Sequence, residues 1–192
     1  ENGTPFLGLC YGMQLAVIEF ARNVCGMEGA HTSEIDPQSR YPVIDVLPSQ
    51  KMILKNNEYG GTMRLGAYAA VLEKSKVLDA YSFGRMKTDM AASEMLRKSA
   101  PFRLGIIKDG EAFVMERHRH RYEVNPKFIK QLKKGGLVFP GFHRRDDGTN
   151  LMEFIELHKH PYFVATQAHP EFKSRLDDPA PLFLEFVRAC AE

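Results

Sequence analysis

Five consecutive residues near the start of the chain, Gly8-Leu9-Cys10-Tyr11-Gly12, have the types and spacing of a nucleophile elbow built on a thiol. Two glycines around a cysteine permit a turn so tight that the middle side chain projects from a strand end, where a substrate can reach it. A helix that follows at once directs its first N–H groups at the sulfur, and their dipoles favour the nucleophilic thiolate. The alternative is a buried structural cysteine in a glycine-flanked turn.

A histidine and a glutamate near the other end of the chain could serve such a nucleophile. The segment 163–167 is apolar and strand-like, and it runs into Ala168-His169-Pro170-Glu171. A cysteine nucleophile needs a base, and the base needs a group that orients it. We therefore interpret Cys10, His169 and Glu171 as a catalytic triad, in which a proline-stiffened turn folds the carboxylate back onto the imidazole. A strand-capping histidine beside a solvated glutamate is the alternative.

A basic run, Arg117-His118-Arg119-His120-Arg121, has competing interpretations. In a strand its three arginines would share one face and its two histidines the other, so the run is not a random basic patch. Nucleic-acid binding is one alternative, but 26 Lys and Arg against 24 Asp and Glu give no bulk charge to support it. A metal site from His118 and His120 is another, but no Cys, Asp or further His stands at ligand spacing nearby. We expect neither a nucleic-acid partner nor a metal.

The composition is that of a globular protein, with 192 residues, 44% of them hydrophobic and 26% charged. No apolar run reaches the roughly 18–20 residues that span a bilayer, so no membrane association is expected. The three cysteines, Cys10, Cys25 and Cys190, are an odd number at scattered spacings and suit neither a disulfide framework nor a zinc site. We expect a reducing, cytoplasmic location.

Strands and helices interleave along the chain. An apolar strand at 6–9 precedes a helical stripe of Met13, Ala16, Val17 and Phe20. Further strands are predicted over 41–47, 63–72, 102–107, 111–115, 137–142, 151–157 and 163–167, and helices over 77–81, 90–97, 127–134 and 181–191. The last helix is expected to turn Phe183, Phe186 and Val187 inward. This order favours an α/β sheet covered by helices on both faces.

Four segments, TPFLGLCYGMQLAVIEFARNV, GGTMRLG, ERHRHRYEVNP and QAHPEF, resemble the class I glutamine amidotransferases. The second and third are similar in particular to the C-terminal glutaminase domain of the CTP synthases. The resemblance covers nearly the whole chain and is weakest over 67–112. It implies an α/β, doubly wound, mostly parallel sheet of the flavodoxin-like kind, with 1–192 as one glutaminase domain.

The same resemblance implies that the domain is N-terminally incomplete in this sequence. The chain opens with Glu1 and leads almost directly into a buried strand. We expect that the first strands of the family's sheet, a glycine-rich loop carrying the second oxyanion donor, and the preceding synthetase domain lie outside it.

The resemblance also implies the chemistry. Cys10 would attack the side-chain amide of L-glutamine, giving a γ-glutamyl thioester and ammonia, with His169 as general base and acid and Glu171 holding it. Tyr11, where the family usually has Leu, would give its backbone N–H to the oxyanion hole. The glutamine-binding residues implied are Tyr11, Gly12, Met13, Gln14, Glu34 and Arg121. Of these, Glu34 would receive the α-ammonium and Arg121 the α-carboxylate.

For the whole enzyme, the resemblance implies Mg-ATP and UTP in the synthetase domain and no cofactor in this one. It also implies GTP as an allosteric activator, through a lid that corresponds to 48–61, and a homo-oligomer, a tetramer. Two alternatives stay open: a stand-alone cysteine hydrolase of γ-glutamyl compounds, and a non-catalytic binding or filament-forming module. A simple hydrolase would not need the two particular segments GGTMRLG and ERHRHRYEVN. A non-catalytic module would not need the intact triad of Cys10, His169 and Glu171.

Overall fold

The computed structural model describes residues 2–46, 63–82 and 85–192. In chain order its elements are β1 (Phe6–Leu9), α1 (Tyr11–Asn23), β2 (His31–Thr32), β3 (Pro42–Asp45), β4 (Arg64–Leu72), α2 (Lys76–Ser82), α3 (Arg85–Ser99), β5 (Ala112–His120), β6 (Glu123–Val124), α4 (Pro126–Gly135), β7 (Val138–Arg144), β8 (Asn150–Glu156), β9 (Phe163–Thr166) and α5 (Pro181–Ala191). Two 3₁₀ turns, Pro101–Arg103 and Pro170–Phe172, complete the described elements.

Six of the described strands form one sheet in the order β1-β9-β8-β7-β4-β5, and a smaller sheet has the order β2-β3-β6. Apolar clusters lie on both faces of the large sheet. Ile155 of β8 packs in the cluster that contains α1 and α4, whereas its neighbour Phe154 packs in the cluster that contains α2 and α5. The expected α/β sheet with helices on both faces is confirmed.

The pairing of this sheet is mixed, which corrects the expectation of a mostly parallel sheet for the described strands. β1 pairs with β9 in parallel, and the other four ladders are antiparallel. Short connections explain the antiparallel pairing of β7 with β8 and of β8 with β9. β7 and β8 are joined by a turn in which the Gly148 N–H donates to the Arg145 carbonyl at 2.9 Å. A connection of this length leaves no room for the crossover that parallel neighbours need.

Two local expectations are wrong. No strand forms over 102–107: Pro101 starts a 3₁₀ turn, and the chain then continues as irregular backbone. In α5 the inward stripe is Leu182, Phe186 and Ala189, at helical spacing. The expectation is therefore confirmed for Phe186, whereas Phe183 is half-buried outside this cluster and Val187 is 63% exposed. The other predicted helices and strands form, with ends shifted by a few residues.

Helix α3 covers an edge of the sheet and ties it to the chain beyond β9. Among the described strands, β5 lies at the end of the sheet opposite β1. The Asp89 carboxylate accepts the Met115 N–H of this edge strand at 2.9 Å, and Lys173 donates to the Met115 carbonyl and to Asp89. Nearby, the Arg117 carbonyl accepts the His169 N–H at 2.8 Å. The edge strand therefore helps to fix the position of the predicted His169–Glu171 turn.

Candidate active site

Cys10 and His169 follow two neighbouring parallel strands at the same end of the sheet. Leu9 of β1 pairs with Thr166 of β9, and the Cys10 N–H donates to the Thr166 carbonyl at 2.7 Å. His169 stands three residues beyond the end of β9. The carboxyl ends of adjacent parallel strands are where α/β sheets bind their ligands. The chain topology thus places two residues that are 159 positions apart in the sequence at the same end of neighbouring strands.

The turn at Cys10 has the tight geometry expected of an elbow. Cys10 has a φ of 47° and is the one non-glycine residue with positive φ among the described residues. Gly8 is required by close approach, since a Cβ there would lie 2.9 Å from the Ala165 Cβ and 3.0 Å from the Gly12 carbonyl carbon. Helix α1 starts at the next residue, Tyr11. Strain of this kind collects at functional sites.

Burial is the largest influence on the Cys10 thiol and raises its pKa, and the carboxylates of Glu171 and Glu123 add to the rise. A hydrogen bond with the Tyr11 backbone and one from the Gln167 side chain lower it. Because the sum is a raised pKa, the resting group is the thiol. This differs from the expectation that the helix terminus favours the thiolate, and it requires a base that removes the proton during attack.

His169 and Glu171 form a hydrogen-bonded pair. The His169 Nδ1 lies 2.6 Å from the Glu171 Oε1. The 3₁₀ turn that starts at Pro170 brings the two side chains to one side. A carboxylate can only accept, so Nδ1 carries a proton, and in the neutral imidazole the lone pair is then on Nε2. This is the tautomer that a general base needs.

The expected glutamine-binding residues lie on several elements. The Gln14 amide, on α1, donates to the Tyr122 carbonyl at 3.1 Å. Burial raises the pKa of the Tyr122 hydroxyl, the Glu34 carboxylate adds to that rise, and the Arg121 guanidinium opposes it. The structure thus brings Glu34 and Arg121 to the same phenol although they are distant in sequence. Met13 is 0% exposed and belongs to the core, so the structure does not place its side chain at a substrate-accessible surface.

A sequence model of the family described as glutamine amidotransferase class-I matches residues 1–189. The chain belongs to this family. Two similar proteins are the CTP synthases of Methanocaldococcus jannaschii, 50% identical over 98% of this chain and 29% of the relative, and Pyrococcus furiosus, 47% identical over 100% and 30%. The chain therefore spans about 30% of the length of these relatives.

A solved structure of the glutaminase domain of Trypanosoma brucei CTPS with bound acivicin superimposes with a TM-score of 0.77 at 31% identity. The match covers 99% of this chain and 61% of that one. It confirms the expected class I amidotransferase fold. The described residues contain no helix long and apolar enough to cross a membrane.

A buried ionic cluster that the sequence analysis did not predict lies within electrostatic range of Cys10. The Arg64 guanidinium of β4 contacts the Glu153 carboxylate at 2.7 Å and the Glu123 carboxylate at 3.1 Å. Burial raises the pKa of both carboxyl groups, and Arg64 opposes that rise. The expected alternation of the basic run is confirmed within β5, where His118 and His120 are buried and Arg117 and Arg119 are exposed. It could not name the partners of the histidines, because these come from other strands.

This cluster contains three groups of the metal-ligating type. One ligand atom each from His118, His120 and Glu153 lies within 4.8 Å of the others. No third ligand beside the two histidines was identified from the sequence, and in the structure Glu153 of β8 takes that position. However, the Arg64 guanidinium already binds the Glu153 carboxylate, and a divalent cation beside it would meet an unfavourable like charge. The arrangement fits a buried ion pair better than a metal site, and the absence of a metal remains a prediction.

Proposed function

We propose that this chain is the glutaminase part of a CTP synthase, a C–N ligase. It would hydrolyse L-glutamine through a thioester on Cys10, and the rest of the full-length protein would use the ammonia to aminate UTP to CTP with ATP. The observation that carries the proposal is the strained Cys10 elbow on a strand adjacent to the one that leads to the His169–Glu171 pair. The CTP synthases among its relatives support the larger assignment.

The first half of the reaction follows from the protonation states. His169 Nε2 takes the thiol proton as Cys10 Sγ attacks the side-chain amide carbon, and Glu171 stabilises the imidazolium that forms. The Tyr11 N–H is the proposed donor to the tetrahedral oxyanion. As the C–N bond breaks, the imidazolium returns its proton to the nitrogen, and ammonia leaves with the γ-glutamyl group held as a thioester.

The second half repeats the steps with water. His169 removes a proton from water as the water oxygen attacks the thioester carbon. The C–S bond then breaks, the imidazolium returns the proton to the departing sulfur, and the Cys10 thiol and glutamate result. Because both halves need the neutral imidazole first, the Nδ1 contact with Glu171 serves each of them.

Recognition of a free amino acid requires one anion and one cation in the site. We assign Glu34 to the α-ammonium and Arg121 to the α-carboxylate, since both charges lie near Tyr122. Tyr11, Gly12 and Gln14 complete the proposed contacts. The Gln14 amide also bonds to neighbouring protein groups, so its role in binding includes holding the pocket wall.

Arg121→Ala should raise the KM for glutamine by about 10-fold to 150-fold, because it removes a charge-assisted hydrogen bond to the substrate. Arg121→Lys should restore only part of the affinity, since an ammonium lacks the two-pronged guanidinium geometry. The measurement is steady-state glutamate release over a range of glutamine concentrations.

The control for this variant is Arg119→Ala, which removes an exposed arginine from the same face of the run. It should leave the KM unchanged. An unchanged KM in Arg121→Ala would remove this residue from the glutamine site, and a raised KM in Arg119→Ala would show that the neighbouring arginine binds the carboxylate.

For the full-length protein we further propose Mg-ATP and UTP as ligands of the synthetase domain, GTP as activator, a homotetramer and a cytoplasmic location. These proposals rest on the similarity to CTP synthases. The segment 48–61, assigned to the GTP-responsive lid, lies outside the described residues, as does the start of GGTMRLG.

The full-length protein tests the proposed function when it is assayed with two nitrogen donors. We expect CTP from UTP and ATP with either glutamine or ammonia, and inhibition by acivicin with glutamine alone. A stand-alone hydrolase would release glutamate without CTP, and a non-catalytic module would do neither.

A further inference from the structure

Gln167 is a fully buried polar residue beside the nucleophile, and the glutaminase mechanism above does not use it. Its side chain is 0% exposed, and its Nε2 lies 3.5 Å from the Cys10 Sγ. Its backbone N–H donates to the Glu153 carbonyl at 2.9 Å, which anchors the chain just beyond β9. A buried amide with a fixed backbone has few alternative positions, so the contact with sulfur is part of the folded site.

The orientation of the Gln167 amide follows from its neighbours. The Tyr122 carbonyl can only accept, so Gln14 must present its NH₂ group there, at 3.1 Å. The second hydrogen of the same NH₂ group points to the Gln167 Oε1, at 3.2 Å. The opposite orientation of Gln167 would place two NH₂ groups against each other. The Gln167 NH₂ group therefore faces the Cys10 sulfur.

We propose that Gln167 is a further catalytic residue, whose amide donates a hydrogen bond that stabilises the Cys10 thiolate while Gln14 holds that amide in orientation. This inference rests on the proposed thiol chemistry. Among the charged groups near the sulfur, the Glu171 and Glu123 carboxylates both oppose ionisation, and so does burial. His169 is the proposed proton acceptor. The Tyr11 backbone and Gln167 are the groups that favour the anion.

The two roles differ in what they do for the reaction. His169 removes the proton, whereas Gln167 stabilises the charge that remains on sulfur during attack and again when the thioester breaks. Gln14 belongs to the first turn of α1, among the proposed substrate contacts. The amide pair therefore connects the glutamine pocket to the nucleophile through two hydrogen bonds.

Alkylation of Cys10 by iodoacetamide tests this proposal without glutamine. In the full-length protein, the rate at each pH is read by mass spectrometry of the Cys10 peptide, with exposed Cys190 as internal reference. Gln167→Met keeps the length of the side chain and removes its donor. We expect the pH midpoint of Cys10 alkylation to rise and the rate at pH 7 to fall about threefold to thirtyfold.

Gln167→Glu is the second variant and keeps an oxygen for Gln14 while placing a carboxylate at the sulfur. Its midpoint should rise further than that of Gln167→Met, because the new carboxylate adds to the two, Glu171 and Glu123, that already oppose the thiolate. Gln38→Met, at an exposed position, is the matched control and should alter neither midpoint. Thermal unfolding reports whether each variant folds, and either of the two Gln167 variants suffices for the test.

Unchanged Cys10 midpoints in the folded Gln167 variants would overturn the inference while leaving the glutaminase proposal intact. Conversely, a shifted midpoint in a protein whose wild type does not hydrolyse glutamine would support the thiolate contact and contradict the proposed function. Glutamate release, measured on the same samples, distinguishes failure of the Gln167 inference from failure of the glutaminase proposal.

Discussion

Replacing Cys10 with alanine is expected to lower glutamine hydrolysis by about 10⁴-fold to 10⁶-fold, because it removes the atom that forms the thioester. Alanine keeps a Cβ, so the strained φ of 47° at this position is unchanged and the fold is retained. In the full-length protein, CTP formation from free ammonia should persist, since the amination of UTP would take place outside this chain. The measurement compares glutamate release and CTP formation with each nitrogen donor.

Cys190→Ala is the matched control, because that thiol is exposed and lies in α5. It should leave both activities at the wild-type level. Loss of glutamine- and ammonia-dependent CTP formation together in Cys10→Ala would contradict the proposed division of labour. Retained glutamine hydrolysis would remove Cys10 from the chemistry.

Arg64→Met is expected to destabilise the domain by about 3–5 kcal/mol, because it leaves the buried carboxylates of Glu123 and Glu153 without their cation. For a domain of this size that corresponds to a fall of about 6–20 °C in the temperature at which half of the glutamine hydrolysis is lost. The substitution also removes the guanidinium from beside the Tyr68 ring, 4.4 Å away, so a smaller part of the loss is packing.

A double substitution separates charge from packing. Arg64→Met with Glu153→Gln removes one positive and one negative charge, and it should recover a large part of the lost thermal stability. If the double variant is no more stable than Arg64→Met alone, the uncompensated carboxylates are not the cause of the loss. If Arg64→Met loses half of its glutamine hydrolysis at the same temperature as the wild type, the buried ion pairs contribute nothing to thermal stability.

The parts of the site that lie close together in the sequence could be predicted from it. The elbow at Cys10 and the pair of His169 and Glu171 each depend on a few consecutive residues, whose glycines and proline restrict the backbone directly. The helices and most strands followed from apolar periodicity for the same reason. The alternation of arginines and histidines on the two faces of the basic run could likewise be predicted, because it depends only on the two-residue period of a strand.

Features that depend on pairing between distant segments could not be predicted. Gln167 stood in the sequence beside the triad, but its role depends on Gln14, 153 residues earlier. The partners of Arg64 come from β6 and β8. Likewise, the segment 102–107 has the residue types of a strand, yet in the described structure it forms no ladder, and its Ile106 N–H donates to the Arg144 carbonyl at the end of β7. Tertiary context overrides local preference in such segments.

The proposed role of Cys10 is tested most directly by mapping the covalent adduct that an electrophilic glutamine analogue forms with the full-length protein. The modified peptide is identified by mass spectrometry, with and without an excess of glutamine as competitor. We expect one adduct, on Cys10, that glutamine suppresses and that blocks glutamine-dependent but not ammonia-dependent CTP formation. An adduct on Cys25 or Cys190 that accompanies the same inhibition, with Cys10 unmodified, would contradict the proposed role.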